Sequence, residues 1–106
     1  MMKDNHFSHG KLMEYFSVYM SDRDLNVWHL AILSAVLNLG YLQGKSKRIV
    51  VSRSIIMNLS HVNTLPTYHK YFKQLQLYGY IKYKPSYHPL VKSEIKLYKK
   101  RVSSSE

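Results

Sequence analysis

The sequence of 106 residues contains no cysteine and few acidic residues. The absence of cysteine excludes a disulfide framework and thiolate metal sites, and it fits a reducing compartment. Six Asp and Glu stand against sixteen Lys and Arg, which gives a net charge of +10. So few carboxylates leave little for acid–base catalysis, and neither a Gly-rich phosphate loop nor a G-x-S-x-G motif is present. We therefore do not expect an enzyme.

Long apolar runs are also missing. The most apolar stretch, residues 25–39, is shorter than the roughly 20 residues that span a bilayer, and it contains His29 and Asn38. The polar N-terminus, residues 1–6, is not followed by the apolar core of a signal peptide. The sequence therefore predicts a cytoplasmic protein without membrane contact. Its hydrophobic content of 45% suffices for one packed core.

Histidine is more frequent, and its six copies raise the question of a metal site. They are His6, His9, His29, His61, His69 and His88. No two of them form a close ligand pair of the H-x-x-x-H kind, and no cysteine supplements them. We expect no metal, no other cofactor and no small-molecule ligand. His29 is predicted to lie at the edge of the core with its ring hydrogen-bonded.

The positive charge is confined to one half of the chain. Residues 45–101 hold thirteen Lys or Arg and a single acid, Glu94, whereas residues 1–44 hold three basic and four acidic residues. A cationic field on one side of a small domain is typical of proteins that neutralise phosphates. The charge distribution therefore favours nucleic acid as the partner.

Hydrophobic spacing predicts two helices in the first half. Residues 10–20 form an amphipathic helix, and residues 25–39, apolar on nearly every side, form a buried helix that ends at Gly40. The first helix carries an apolar stripe of Leu12, Phe16, Tyr19 and Met20. Either the second helix of the same chain or a second subunit must cover this stripe, and the homodimer is the alternative that we adopt.

The second half predicts a strand at 48–51 and a helix at 53–59. The strand is β-branched, and Ser52 is placed to cap the helix. The inward-facing residues of this helix are predicted to be Ile55, Ile56 and Leu59. Residues 60–63 form a tight connection without glycine, in which Asn63 is the candidate for a left-handed conformation.

A further helix and two strands follow. Thr64 is the predicted N-cap of a helix that contains Pro66 in its first turn and ends at Gly79. Its core face is predicted to be Tyr68, Phe72 and Leu75, and its opposite face Thr67, His69, Lys70, Lys73 and Gln74. Alternating residues predict strands around 81–83 and 94–97, joined by a loop at 85–92.

The order helix, strand, helix, helix, strand, loop, strand from Leu25 to Leu97 resembles the winged helix-turn-helix family. The most telling segment is residues 67–81, TYHKYFKQLQLYGYI, with Thr near the helix start, apolar residues at fixed intervals, and Tyr-Ile straight after Gly79. Residues 51–54, VSRS, and 85–89, PSYHP, are also similar to small winged-helix regulators of bacterial mobile elements.

The resemblance implies a mainly α fold with a small antiparallel β-sheet, preceded by an extra N-terminal helix. Three parts are expected. Residues 1–24 form the amphipathic helix and a linker, residues 25–98 the winged-helix domain, and residues 99–106 a basic, polar and disordered tail.

The resemblance further implies sequence-specific binding of double-stranded DNA, as a nucleoid-associated transcriptional regulator or an accessory factor of a mobile element. The recognition helix would read the major groove with Thr67, His69, Lys70, Lys73 and Gln74. Backbone contacts would come from Arg53, Ser54 and Thr64, and wing contacts from Lys84, Tyr87, His88 and Lys92. Two alternatives stay open: binding of single-stranded nucleic acid or RNA through wing tyrosines, and a protein-interaction module that has lost its DNA role.

Overall fold

The computed structural model describes residues 7–101, in which four helices pack on a three-stranded antiparallel sheet. The helices are α1 (His9–Ser21), α2 (Val27–Gln43), α3 (Arg53–Ser60) and α4 (Leu65–Tyr78). The strands are β1 (Ile49–Val51), β2 (Ile81–Lys84) and β3 (Ser93–Leu97). The strand order is β1-β3-β2, so β3 is central and β2 is an edge strand. The mainly helical composition and the small antiparallel sheet agree with the sequence-based prediction.

The register of the sheet separates a buried face from an exposed one. Ile49 pairs with Ile95, and Ile81 pairs with Leu97, and all four side chains are buried against the helices. Because successive side chains alternate between the two faces of a strand, the polar residues between them point away from the helices. This exposed side, the outer sheet face, carries Val50, Lys82, Lys84, Glu94 and Lys96.

One hydrophobic core joins α1 to the rest of the described chain, so the predicted boundary at residue 24 does not separate two bodies. Phe7 and Tyr15 are buried in it with their rings edge to face. The Tyr19 ring packs edge to face on the Tyr80 ring at 4.9 Å, and its hydroxyl donates to the carbonyl oxygen of Tyr98 at 2.7 Å. α1 is therefore an integral element of the fold.

The apolar stripe of α1 is covered by the same chain. Tyr19 is buried, and Leu12 and Phe16 pack against the core, whereas Met20 is 70% exposed. Met20 follows Tyr19 and so lies about 100° further round the helix. The buried side is completed by Tyr15, which the sequence-based stripe left out. Because the chain itself covers this stripe, the predicted homodimer loses its support.

α2 continues past the predicted stop at Gly40 and ends at Gln43, where Gly44 adopts the left-handed conformation with φ 74°. Gly40 is buried inside the helix, and a Cβ there would lie 2.7 Å from the carbonyl oxygen of Lys45 and 2.9 Å from Ile49 Cδ1. Glycine is therefore needed at position 40 because the backbone of the following loop, at Lys45, approaches the helix closely. Within residues 7–101, α2 and the other helices all lack the combination of length and apolar character that is needed to cross a membrane.

α3 begins as predicted and ends differently. The Ser52 hydroxyl accepts a hydrogen bond from the Ile55 amide at 3.2 Å, which confirms the cap. The left-handed residue after the helix is His61, with φ 62°, and not Asn63. Ile56 and Ser60, four residues apart, define the buried side, so Ile55 and Leu59 are exposed and their predicted inward orientation is wrong.

The predicted disordered tail is anchored at its start. The Lys99 Nζ lies 2.7 Å from Glu14 Oε1, and the Arg101 guanidinium binds Asp22 at 2.8 Å and Asp24 at 2.7 Å. The same guanidinium lies 4.6 Å from the centre of the Tyr78 ring. Lys99 and Arg101 thus hold the start of the tail against α1 and against the connection between α1 and α2, while residues 102–106 of the predicted tail, like residues 1–6, lie outside the described part.

Candidate nucleic-acid interface

α4 presents a basic face to the solvent. Tyr68, Phe72 and Leu75 are buried as predicted, with the Tyr68 and Phe72 rings stacked at 5.1 Å. His69, Lys70 and Lys73 are exposed on the other side. The helix starts with Pro66 in its first turn and ends at Gly79, whose φ is 89°. Local sequence signals therefore place three of the five predicted recognition residues on one accessible surface.

Gln74 does not belong to that surface. It is half-buried, and its Oε1 lies 2.7 Å from His29 Nε2. The Asn26 amide donates to His29 Nδ1 at 2.9 Å, so Nε2 carries the ring proton and donates to Gln74. α2 covers this side of α4, because Tyr71, three residues before Gln74, also packs on the His29 ring at 5.0 Å. The prediction of a groove-facing Gln74 is wrong, and that of a hydrogen-bonded His29 is confirmed.

The first turn of α4 differs from its prediction in one contact. Thr64 stands at the N-cap position, but its side chain does not accept from a helix amide. Its hydroxyl donates to the Thr67 hydroxyl at 2.9 Å instead. Thr67 is half-buried at the border of the exposed face, whereas Thr64 is exposed. Both hydroxyls therefore lie near the start of the helix, where they form a pair.

A groove of about 380 Å³ runs between the start of α3, α4 and β2. Its aromatic floor is formed by Tyr68, Phe72 and Tyr83, with the Tyr83 ring edge-on to Phe72 at 5.1 Å. Burial raises the pKa of Tyr68, so this phenol is neutral at physiological pH. The remaining lining residues are Arg53, His69, Lys73 and Gln76.

Gln76 was missed by the sequence analysis. It lies three residues after Lys73 and seven after His69, which is the spacing of residues on one helix face, so periodicity could have found it.

The start of α3 borders the same groove. Arg53 and Ser54 are exposed there, as predicted for backbone contacts. The Ser54 hydroxyl lies 3.4 Å from the Ser52 hydroxyl, which caps the helix. The amide hydrogens and the dipole at a helix start favour anions, so Arg53 adds its charge to a position already suited to phosphate.

The loop between β2 and β3 protrudes and is braced by its own residues. The Ser93 hydroxyl accepts from the Ser86 amide at 3.2 Å, and His88 Nδ1 accepts from the Leu90 amide at 3.1 Å. Tyr87 is 92% exposed and Leu90 is 86% exposed. The remaining predicted wing residues, Lys84, His88 and Lys92, are also exposed. The loop therefore offers both cations and bare apolar side chains beside the basic half of the molecule.

The acidic side chains of the described residues are paired with cations other than those on the exposed face of α4. Residues 7–101 contain four acids, of which Glu14, Asp22 and Asp24 bind Lys99 or Arg101. Burial acts to raise the pKa of Asp22, but hydrogen bonds from Tyr80, the Asp24 amide and Arg101 outweigh it, so the pKa is lowered and the carboxylate stays charged. The fourth, Glu94, lies 4.0 Å from Arg48 on the sheet.

The α3–α4 face consists of Arg53, His69, Lys70 and Lys73. None of these four residues forms an ion pair with an acid among the described residues. Such a surface can bind an extended anion without covalent chemistry. Within residues 7–101 no group of three or more His, Asp or Glu side chains is arranged to hold a metal ion. No family model, curated protein or solved structure matches this chain.

Proposed function

We propose that the protein binds double-stranded DNA sequence-specifically, with α4 in the major groove and the β2–β3 loop as the wing beside it. α4 has 14 residues, about 21 Å at 1.5 Å per residue, and a B-DNA major groove about 12 Å wide admits an α-helix. The element order and the strand order β1-β3-β2 support a winged-helix arrangement. A transcriptional regulator or an accessory factor of a mobile element would use such a module.

The observation that carries the proposal is the α3–α4 face. Arg53, His69 and Lys73 line an aromatic groove, Lys70 is exposed on the same helix, and no acid of the described chain is paired with any of them. Arg53 and Lys73 are placed at the groove rim, where they would neutralise phosphates, and His69 is placed in the second turn of α4, where it would reach a base edge. Lys70, on the same helix, serves either purpose.

A second candidate function is favoured by two tyrosines. Tyr87 is almost fully exposed on the protruding loop, and Tyr83 lines the basic groove. Stacking of an unpaired base on an aromatic ring contributes about 1–3 kcal/mol in proteins that bind single strands. Single-stranded DNA or RNA is therefore the alternative ligand to be compared with duplex.

The experiment is fluorescence anisotropy with duplex DNA, single-stranded DNA and RNA of one sequence, after selection of bound duplexes from a random pool. We expect duplex to bind most tightly, with a log–log salt slope of about −0.9 for each phosphate contacted. A flat salt profile on duplex would contradict the proposal. Tighter binding of a single strand, reduced by Tyr87→Ala, would select the second candidate function instead.

A further inference from the structure

Two lysines face each other on the outer sheet face. Lys82 of β2 is directly opposite Lys96 of β3, and in the next row Glu94 stands between Lys84 and Val50. Like charges directly opposite each other in an antiparallel pair destabilise a sheet. The folded protein therefore carries an unfavourable contact at Lys82 and Lys96 that its fold does not require.

Protection of the sheet edge explains only part of this arrangement. Lysines on an edge strand discourage pairing with another chain, and β2 is such a strand, so Lys82 and Lys84 can be understood in that way. Lys96 lies on β3, which is paired on both sides. Its Nζ lies 5.1 Å from the centre of the Tyr98 ring and is not offset by an acid directly opposite. Lys96 therefore needs another explanation.

Arg48 adds a third cation, and its backbone has an unfavourable conformation. Its φ is 57°, in the left-handed region that a residue with a side chain rarely adopts. The Arg48 side chain is 80% exposed, and its Nε lies 4.0 Å from Glu94 Oε1, a distance at which a surface ion pair contributes little. The strained backbone thus holds a largely free guanidinium beside the sheet.

These side chains border one shallow groove of about 500 Å³ on the outer sheet face. Its charged lining residues are Lys47, Arg48, Lys82, Lys84, Glu94 and Lys96. Five cations against one carboxylate, on a rigid sheet, form a surface for an extended polyanion. The exposed aliphatic side chain on this face is Val50, which is little for a membrane-binding surface, since these combine cations with a broad apolar face.

We infer that the outer sheet face binds the phosphate backbone of a second DNA segment, so that one chain bridges two duplexes. The inference rests on the proposed function, which assigns the first duplex to the α3–α4 face and the β2–β3 loop. Lys84, the last residue of β2, borders both that loop and the outer sheet face. Tyr83 lines both grooves, so the two surfaces lie on either side of the edge strand β2. A duplex with a persistence length of about 150 bp resists bending round a molecule of 43 × 37 × 31 Å to reach both, which favours two separate duplexes.

Sandwich capture tests the inference. Beads carrying one biotinylated duplex are incubated with protein and a fluorescent second duplex, and the affinity for a single short duplex is measured in parallel. We expect the unchanged protein to retain the second duplex. Lys82→Gln/Lys96→Gln should bind a single duplex as before but capture the second duplex more weakly, with the magnitude of the salt slope of capture smaller by about 1.8, or 0.9 per phosphate contact.

The matched control is Lys11→Gln/Lys100→Gln, which removes two exposed charges elsewhere and should leave capture intact. Lys96→Glu separates a binding role from a structural one. It replaces the facing Lys–Lys pair with a facing Lys–Glu pair, so the melting temperature should rise while capture is lost.

Capture unaffected by Lys82→Gln/Lys96→Gln would overturn the inference and leave the proposed function standing, provided that Lys70→Gln/Lys73→Gln still weakens binding of a single duplex. A parallel loss of single-duplex affinity in the sheet variant would place both surfaces on one duplex and would also overturn it. Absence of duplex binding at about 50 mM salt would overturn the proposed function and the inference together. Lysine-dependent binding to anionic vesicles in that case would identify a membrane as the partner of the sheet.

Discussion

Lys99 and Arg101, at the C-terminal end of the described chain, are paired with acids, whereas the cations of the α3–α4 face are not. Arg101 binds Asp22 and Asp24 and lies over the ring of Tyr78. Arg53 and Lys73 instead border an open groove. The same side-chain types thus serve two purposes, because one set fastens the fold and the other is available to a partner.

Asp22, Asp24, Tyr80 and Arg101 form a cluster, the tail clamp, that also includes Tyr19, which packs on Tyr80. Glu14, Asp22 and Asp24 are paired with Lys99 and Arg101, so these charges offset one another. Cations without a paired acid cluster on the α3–α4 face, and five cations against one carboxylate line the outer sheet face.

The largest expected effect is on stability in the tail clamp. Tyr19→Ala removes a buried aromatic ring and should lower the free energy of unfolding by about 3–5 kcal/mol, measured by urea denaturation. Met20→Ala is the control, because Met20 is exposed and should change stability by about 0.5 kcal/mol or less. A small effect of Tyr19→Ala together with a change in oligomeric state would restore the dimer interface on α1.

Some features of the fold could be predicted from the sequence, and others could not. Ser52, Gly79 and the buried trio of α4 were predicted, since a cap and a helix face are set by residues within one or two turns. The orientation of Gln74 was predicted wrongly because its hydrogen-bond partner, His29, lies 45 residues away. The sequence near Gln74 does not indicate which side of α4 is covered by α2.

The same limit applies to Gly40 and to the tail. A glycine in a helical pattern stops the helix or admits a close neighbour, and the neighbours here are the Lys45 carbonyl oxygen of the following loop and the end of the Ile49 side chain of β1. Arg101 belongs to a segment that the sequence predicts to be a polar tail, because its partner, Asp22, lies 79 residues earlier in the chain. Sequence patterns therefore predicted the basic face of α4 but not the pairing of charges that leaves this face exposed.

A smaller loss of stability is expected from Asp22→Asn, which removes the charge bound by Arg101 and weakens the acceptor for Tyr80. Loss of charge-assisted hydrogen bonds should cost about 1–3 kcal/mol in thermal or urea unfolding at neutral pH. DNA affinity should be unchanged, since the tail clamp lies outside the α3–α4 face. A loss of affinity with full stability would mean that the two regions are not independent.

The pH dependence of stability should follow the same carboxylate. The pKa of Asp22 in the folded protein is lowered from its model-compound value of 3.8, so its contribution is present above about pH 4 and is lost as the pH falls through the lowered value. Thermal unfolding between pH 2 and pH 7 should therefore show a steeper acid loss for the unchanged protein than for Asp22→Asn. Identical acid profiles would contradict the stabilising role of the ionised Asp22.

On the other side of the comparison, His69→Ala should alter sequence preference and not folding. His69 is exposed in the second turn of α4, and loss of one specific base contact costs about 1–3 kcal/mol of discrimination. Selection from a random duplex pool should yield a motif relaxed at one position, with an unchanged melting temperature. An unaltered motif would remove His69 from base reading, and Thr67→Ala would then be the next substitution on α4.

The smallest effect, and the sharpest comparison, comes from one substitution made in both regions. Lys99 and Lys73 are both exposed, but Lys99 is paired with Glu14 at 2.7 Å, a contact that raises the pKa of Lys99 and lowers that of Glu14. Exposed ion pairs contribute little to stability and are screened by salt, so Lys99→Gln should leave the melting temperature nearly unchanged.

Lys73→Gln should likewise leave folding unchanged, but it should reduce the magnitude of the salt slope of duplex binding by about 0.9 through loss of one phosphate contact. Each variant removes one positive charge from a chain of net charge +10, so a ligand attracted by net charge alone would respond to both equally. A weaker slope in Lys73→Gln alone would locate binding at the α3–α4 face. Equal slopes in the two variants would show that the position of the charge is irrelevant and would remove α4 from the interface.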